Sequence, residues 1–363
     1  MFANDRSGSA LYRTIRAQPA AVRALVEGTA AEEIEQAAEV LLESRRVFLI
    51  GTGTSGHAAV VGEHLLRSMG ADAYATTNFE FVNYGRAVGP EDAVVAISHR
   101  GGKRYGRLAV ERALAAGSRV VGVTGNGSPM EGPEVIVPTV EDEVSSTHTA
   151  SYTTALTVLA LLAARFGEGV GADASELQGA VKKLPDAITD LLEKEEEVRP
   201  VSSALAHRGR VVLVGAGPNA VTAREGALKI KESSYLVAEG FELETALHGG
   251  LQAVERGDVT VVIAAEGPAF GRTLDLLGAL SIIGARPFVV ADERVADRSP
   301  GFGASPDGTV VTYPAVPEPI SPALAVIPLQ LLASQTAGLR GANPDSFRAD
   351  DPVYRRANES YEL

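Results

Sequence analysis

Apolar and polar residues along this chain follow two alternating periods. Short aliphatic runs at 47–50, 93–97 and 119–123 are separated by longer stretches of helical period. The pattern predicts helices over 9–28 and 30–44, strand 46–50, helix 56–69, strand 72–76, a helix near 79–86, strand 93–97, helix 104–116, strand 119–124 and an apolar helix over 151–165. Pro19 is expected to bend the first helix or split it. A helix over 176–197 follows. Its acidic run Glu193-Lys194-Glu195-Glu196-Glu197 reads as a solvated end beside a linker. A second series then predicts strand 211–214, helix 219–237, strand 259–264, helix 270–283, strand 286–290, a strand near 309–312 and a closing apolar helix over 322–337. Strands alternating with helices predict an α/β fold with parallel sheets in three-layer α/β/α sandwiches.

The two series resemble each other. The run at 47–50 ends in Gly51-Thr52-Gly53-Thr54-Ser55-Gly56, and the run at 211–214 ends in Gly215-Ala216-Gly217-Pro218-Asn219, an offset of 164 residues. The runs at 93–97 and 119–123 recur at 259–264 and 286–290. A period this long marks a duplicated domain large enough to bury its own core. The expected division is helices over 1–44, a first domain over 45–198, a second over 199–340, and a tail over 341–363.

A length of 363 residues suits two domains. The absence of cysteine excludes disulfides, thiolate chemistry and cysteine-based zinc sites. A net charge of −13 and a pI near 5.0 argue against nucleic acid as a partner. The apolar stretch 155–164 stops at Arg165, too short for a bilayer, and 1–16 is polar, so the expectation is a cytoplasmic protein without a membrane partner.

Candidate chemistry lies in the loops after the strands. The segment 51–56 fits the G-x-G-x-x-G template, but strand 72–76 ends without the acid a dinucleotide needs. Gly53, Thr54 and Ser55 instead suit a compact anion at a helix start. The loop Ser98-His99-Arg100-Gly101-Gly102-Lys103-Arg104 concentrates hydroxyl, imidazole and cationic groups at the carboxyl end of a strand, where open α/β sheets bind ligands. The segment 143–149, with Glu143 and Thr149, is rich in hydroxyls and is read either as part of a polyol cleft or as helix capping. Glu225, Lys229 and Glu232 share one helix face, either as an exposed charge ladder or as a buried acid–base site. His248, beside Gly249 and Gly250, is a further candidate.

These residues resemble the sugar isomerase (SIS) domain family in its tandem form, as in the isomerase half of glucosamine-6-phosphate synthase. Gln18-Pro19, Gly53-Thr54-Ser55, Ser98, Glu143 with Thr149 and Thr153-Thr154, and Leu247-His248-Gly249 carry the resemblance. The run Arg224-Glu225-Gly226-Ala227-Leu228-Lys229-Ile230-Lys231-Glu232 is its most specific part. The resemblance implies that Glu232 moves a proton between sugar C1 and C2, and that His248 opens the ring from a neighbouring subunit. It also implies that Glu225 and Lys229 support the site, and that Thr54, Ser55 and Ser98 hold the anion. His99, Arg100 and Lys103 are added to that grip because Arg100 and Lys103 replace the family's later hydroxyls.

Phe2 stands where a glutaminase nucleophile is expected, and 341–363 holds no lysine for a Schiff base, so neither glutamine-dependent amide transfer nor amine catalysis is expected. The expected function is an aldose–ketose isomerase of an anionic hexose, most simply a sugar 6-phosphate. The alternatives are an amino-sugar-phosphate deaminase, an isomerase of a sulfonated sugar, and a non-catalytic sugar-phosphate sensor. No cofactor or metal is called for. The expected assembly is a homodimer with shared active sites, the tail covering each site and a partner covering the apolar helices.

Overall fold

The computed structural model describes residues 8–141, 143–298 and 308–362. The first series forms α1 (Ala10–Val26), α2 (Ala31–Leu42), β1 (Arg46–Gly51), α3 (Thr54–Ser68), β2 (Ala73–Thr77), α4 (Asn78–Asn83), β3 (Asp92–Ser98), α5 (Arg104–Ala115), β4 (Arg119–Thr124), β5 (Val135–Pro138) and α6 (Ala150–Gly169). The chain continues through α7 (Ser175–Glu193), α8 (Glu195–Ala206), β6 (Arg210–Gly215), α9 (Pro218–Ser234), β7 (Val237–Glu242), α10 (Leu243–Leu247), β8 (Val259–Ala264), α11 (Phe270–Ile283), β9 (Arg286–Asp292), α12 (Glu293–Arg298), β10 (Thr309–Tyr313), α13 (Pro322–Arg340) and α14 (Pro352–Glu359).

The strands make two parallel sheets of five, in the orders β2-β1-β3-β4-β5 and β7-β6-β8-β9-β10. The second order repeats the first. In both, the order reverses between the first and third strands, and a doubly wound sheet binds ligands beyond the carboxyl ends at that point. Val, Ile and Ala fill β3 and β8 because helices cover both faces of a parallel sheet.

The duplication extends to backbone angles. A side chain on Gly51 would meet the carbonyl of Ser55, and one on Gly215 the carbonyl of Asn219. Gly53 (φ 59°, ψ −129°) and Gly217 (φ 51°, ψ −129°) then start α3 and α9 in one shared conformation. Positive φ explains the glycine at both positions.

The chain divides into two compact units. One holds the second sheet and comprises the described residues of Met1–Arg16, Val144–Thr147 and Asp186–Arg348. The other holds the first sheet and comprises the described residues of Ala17–Glu143, His148–Pro185 and Ala349–Leu363. In the first-sheet unit, Phe48, Ile50, Phe81, Val94, Val110 and Met130 form a core beneath α4 and α5. In the second-sheet unit, Val214, Leu243, Val262, Leu276 and Leu280 form its counterpart.

Several expectations change in detail. Pro19 sits inside an unbroken α1. The acidic run does not close a single helix: Glu193 ends α7, the chain breaks at Lys194, and Glu195, Glu196 and Glu197 form the first turn of α8, where carboxylates favour the helix dipole. The strands β5 and β7 go beyond the expected set. The apolar helices need no partner subunit, because α6 is buried against α2 and α3, and α13 against α8 and α9.

Candidate functional site

In the first-sheet unit the strand ends converge on a small cavity. Thr54 and Ser55 from the start of α3, His99 after β3, Thr124 ending β4, Thr139 after β5, and His148 and Ser151 at the start of α6 line it. Hydrogen bonds fix the β3 loop. The Ser98 carbonyl accepts from Thr124 Oγ1 at 2.6 Å, and the His99 carbonyl accepts from Ser128 Oγ at 2.6 Å and Gly125 N at 3.0 Å. Ser98 Oγ accepts from Gly101 N at 3.2 Å and His99 Nε2 from Glu143 N at 3.2 Å. The His99 and His148 rings meet edge to face at 4.9 Å.

Glu143 serves the backbone. Its buried carboxylate accepts from Thr149 N and Ala150 N at 2.9 Å, Thr149 Oγ1 at 3.3 Å and Ser151 N at 3.0 Å, capping α6. Burial works to raise this carboxyl. His148, 3.6 Å away, and the Ser151 and Thr149 hydrogen bonds outweigh burial and hold it below the usual range. His99, Glu143 and His148 place potential ligand atoms within 4.8 Å of one another. The bonds that Glu143 accepts from the helix make the trio a poor metal cage.

Arg100 and Lys103 are exposed and do not line the cavity. Arg100 Nη2 donates to the Glu143 carbonyl at 3.2 Å. Burial, then the Arg100 charge, lowers the Lys103 pKa. Lys103 is the N-cap of α5 and Arg104 its first residue, with no acid in the first turn. Cations at a helix start oppose its dipole, an arrangement an anion would relieve. In the tail, Glu362 pairs with Arg104 at 3.7 Å.

In the second-sheet unit, α9 buries its charged stripe. Glu225 and Lys229 are fully enclosed, and Lys229 Nζ lies 3.4 Å from Glu225 Oε1 and 2.6 Å from Glu232 Oε2. Of the three side chains, Glu232 alone reaches the surface, at 17% exposure. The stripe is therefore a buried cluster with one accessible carboxylate. His248 follows α10 with its side chain 78% exposed, and its Nε2 lies 3.4 Å from Glu244. Arg272 holds Glu244 in turn at 2.6 Å. The structure thus groups Glu225, Lys229 and Glu232, and groups Thr54, Ser55 and His99. His248 pairs with Glu244 rather than with the α9 cluster. Sequence reasoning passed over Thr124, Thr139 and Ser151, and held His148 only as a member of the segment 143–149. Their signal was position, since Thr124 ends a strand and His148 and Ser151 flank Thr149.

A family model described as the SIS domain matches residues 40–165 and 204–283. A glutamine–fructose-6-phosphate aminotransferase [isomerizing] of Pyrococcus horikoshii is 31% identical over 349 residues, covering 93% of this chain and 56% of the relative. The chain thus spans about half the length of that curated relative. The C-terminal domain of glucosamine-fructose-6-phosphate aminotransferase from Francisella tularensis superposes with a TM-score of 0.86 at 19% identity, covering 94% of this chain and 99% of the other. Tagatose-6-phosphate ketose/aldose isomerase from Escherichia coli gives 0.78 at 20% identity, covering 94% and 95%. With two matched segments, two sheets of one strand order and glycine turns of one geometry, the chain belongs to the SIS domain family.

Proposed function

We propose that the chain is an aldose–ketose isomerase of an anionic hexose, most simply a sugar 6-phosphate. The observation that carries this reading is the α9 cluster, a buried ammonium holding one accessible carboxylate, Glu232. In this reading Glu232 takes the proton from C2 of the open-chain aldose. The electrons of that C–H bond form the C1–C2 double bond of a cis-enediol. Glu232 returns the proton to C1, and the O2 hydroxyl proton is lost as the ketone forms and is replaced at O1. Lys229 and Glu225 fix the carboxylate. The hydroxyls of Thr54, Ser55 and Ser98, with His99, Arg100 and Lys103, are assigned to the anion. Support comes from the cations gathered at the start of α5 and from the relative's name, which includes isomerisation.

His248 is assigned to ring opening in a second copy of the chain, which its exposure supports. Mixing inactive Glu232→Gln and His248→Ala chains is then expected to restore activity, since about half of randomly exchanged dimers are mixed and each carries one intact site. Confirmed exchange with no recovered activity rejects the shared site.

The reading itself is tested by turnover of a panel of hexose 6-phosphates and sulfonated hexoses followed by NMR, with ammonia assayed on glucosamine 6-phosphate. Isomerisation without ammonia is the expected result. Ammonia release selects a deaminase, and binding without turnover a sensor.

A further inference from the structure

A second cavity of the first-sheet unit, about 420 Å³, runs along α5 and the segment 129–132. Its volume falls in the range of small-molecule sites. Ile97, Val110 and Met130 give it apolar walls. Met130 comes this close to the sheet because Gly122 has no side chain; a Cβ there would lie 2.8 Å from Met130 Sδ.

The polar feature is Asn78, the first residue of α4, which lines the cavity and is only 5% exposed. Its side-chain amide makes no hydrogen bond to any described residue. Unbonded and still in touch with the cavity's solvent, the amide atoms are free to pair with a ligand there. A Cβ on Gly106 of α5 would stand 3.6 Å from Asn78 Nδ2, so the missing side chain leaves room beside the amide. The exposed charges along the cavity are Arg107, Glu111 and Glu131, two acids against one base. Arg107 and Glu111 form no ion pair with any described residue. This balance disfavours phosphate.

We propose that this cavity binds a neutral nucleobase or nucleoside, read by Asn78. An asparagine amide presents a donor and an acceptor side by side, the pattern that pairs with an adenine edge. The apolar walls take the ring faces. The cavity is distinct from the one lined by Thr54, Ser55 and His99, though Ser98 of the proposed anion loop lines it too. It adjoins the anion loop through Ser98, which lines the cavity, so occupancy would be felt at that loop.

The test is calorimetric titration of the full chain with adenosine, guanosine, cytidine, uridine and AMP. Adenosine is expected to bind with a Kd below about 1 mM, and AMP more weakly. Asn78→Leu and Gly106→Leu, each shown folded by thermal melting, are expected to weaken adenosine at least about ten-fold while leaving titration with inorganic phosphate unchanged. The second variant carries the test if the first does not fold. Absence of binding by all four nucleosides overturns the proposal, as does adenosine binding that survives Gly106→Leu. Tighter binding of AMP overturns the neutral class.

Discussion

Each copy carries an acid shortly before its long closing helix, and the two acids meet opposite fates. Glu143 is drawn into the start of α6, and His148 and the helix donors hold its carboxyl below the usual range despite burial. Glu318, in the short turn before α13, lies instead over the glycine loops of the second sheet. Its Oε1 is 3.6 Å from where a Cβ on Gly217 would sit, and its Oε2 is 2.5 Å from one on Gly267. Burial pushes its carboxyl up. The first copy thus leaves a cavity of hydroxyls and imidazoles at its switch point, while the second places its own carboxylate over the matching turn. Duplication preserved the backbone and let the two crevices diverge. In the proposed reading the first copy grips and the second reacts.

The strongest attempt to break that division is Glu232→Gln. Turnover is expected to fall by roughly 10²–10⁴-fold, the usual cost of losing a general base, with titrated sugar-phosphate affinity retained; near-normal turnover removes Glu232 from the chemistry. Arg100→Ala probes the other copy. It is expected to raise KM by roughly ten-fold, from one lost charge-assisted bond, with kcat little changed. An unchanged KM removes Arg100 from the anion site.

The two acids give a pair of stability experiments of opposite sign. The folded-state pKa of Glu143 is depressed, so its stabilisation is present above the unfolded-chain value and is lost as pH falls through the folded value. Glu143→Gln is expected to lower Tm at pH 7 by roughly 5 °C, as for loss of a strong helix cap, and the deficit shrinks in acid. The folded-state pKa of Glu318 is raised, so its contribution is most favourable in acid and is lost as pH rises through that value. Glu318→Gln is expected to raise Tm by about 2 °C at pH 8 and to change little below the ordinary carboxylate range. Parallel pH profiles for the two variants would erase the contrast between the copies.

The duplicated frame was legible because its signals are local. Buried parallel strands read as aliphatic runs, and Gly51 and Gly215 are required by their own turns. What escaped depends on tertiary contact. The strand β7, Val-Ala-Glu-Gly-Phe-Glu, has polar exposed positions and a glycine, and it pairs only because Gly240 lets it lie against the backbone of Arg224. The edge strand β5 is four residues long and ends in Pro138. The helix break at Lys194 follows no proline, while Pro185 and Pro200 sit inside helices. At the site, the spacing of Glu225, Lys229 and Glu232 showed a shared face, but burial decided between ladder and cluster. Loop composition pointed to Arg100 and Lys103 as anion contacts, but it did not show that they lie outside the lining of the small cavity, because side-chain direction is not written in composition.

The shared strand order also sets how the chain reaches its native state. In each sheet the first strand pairs with the third as well as the second, so Arg46 must find Asp92 and Val212 must find Thr260 across intervening helices. Contacts at such separation close late and slow folding. All five strands of the first sheet lie within residues 46–138 and leave the ribosome before β6 begins at Arg210. The amino-terminal sheet can therefore close during synthesis while the second is still being made. The two copies, alike in strand order, differ in when they become foldable, and defects in β6 or β8 meet a chain whose first sheet is already complete.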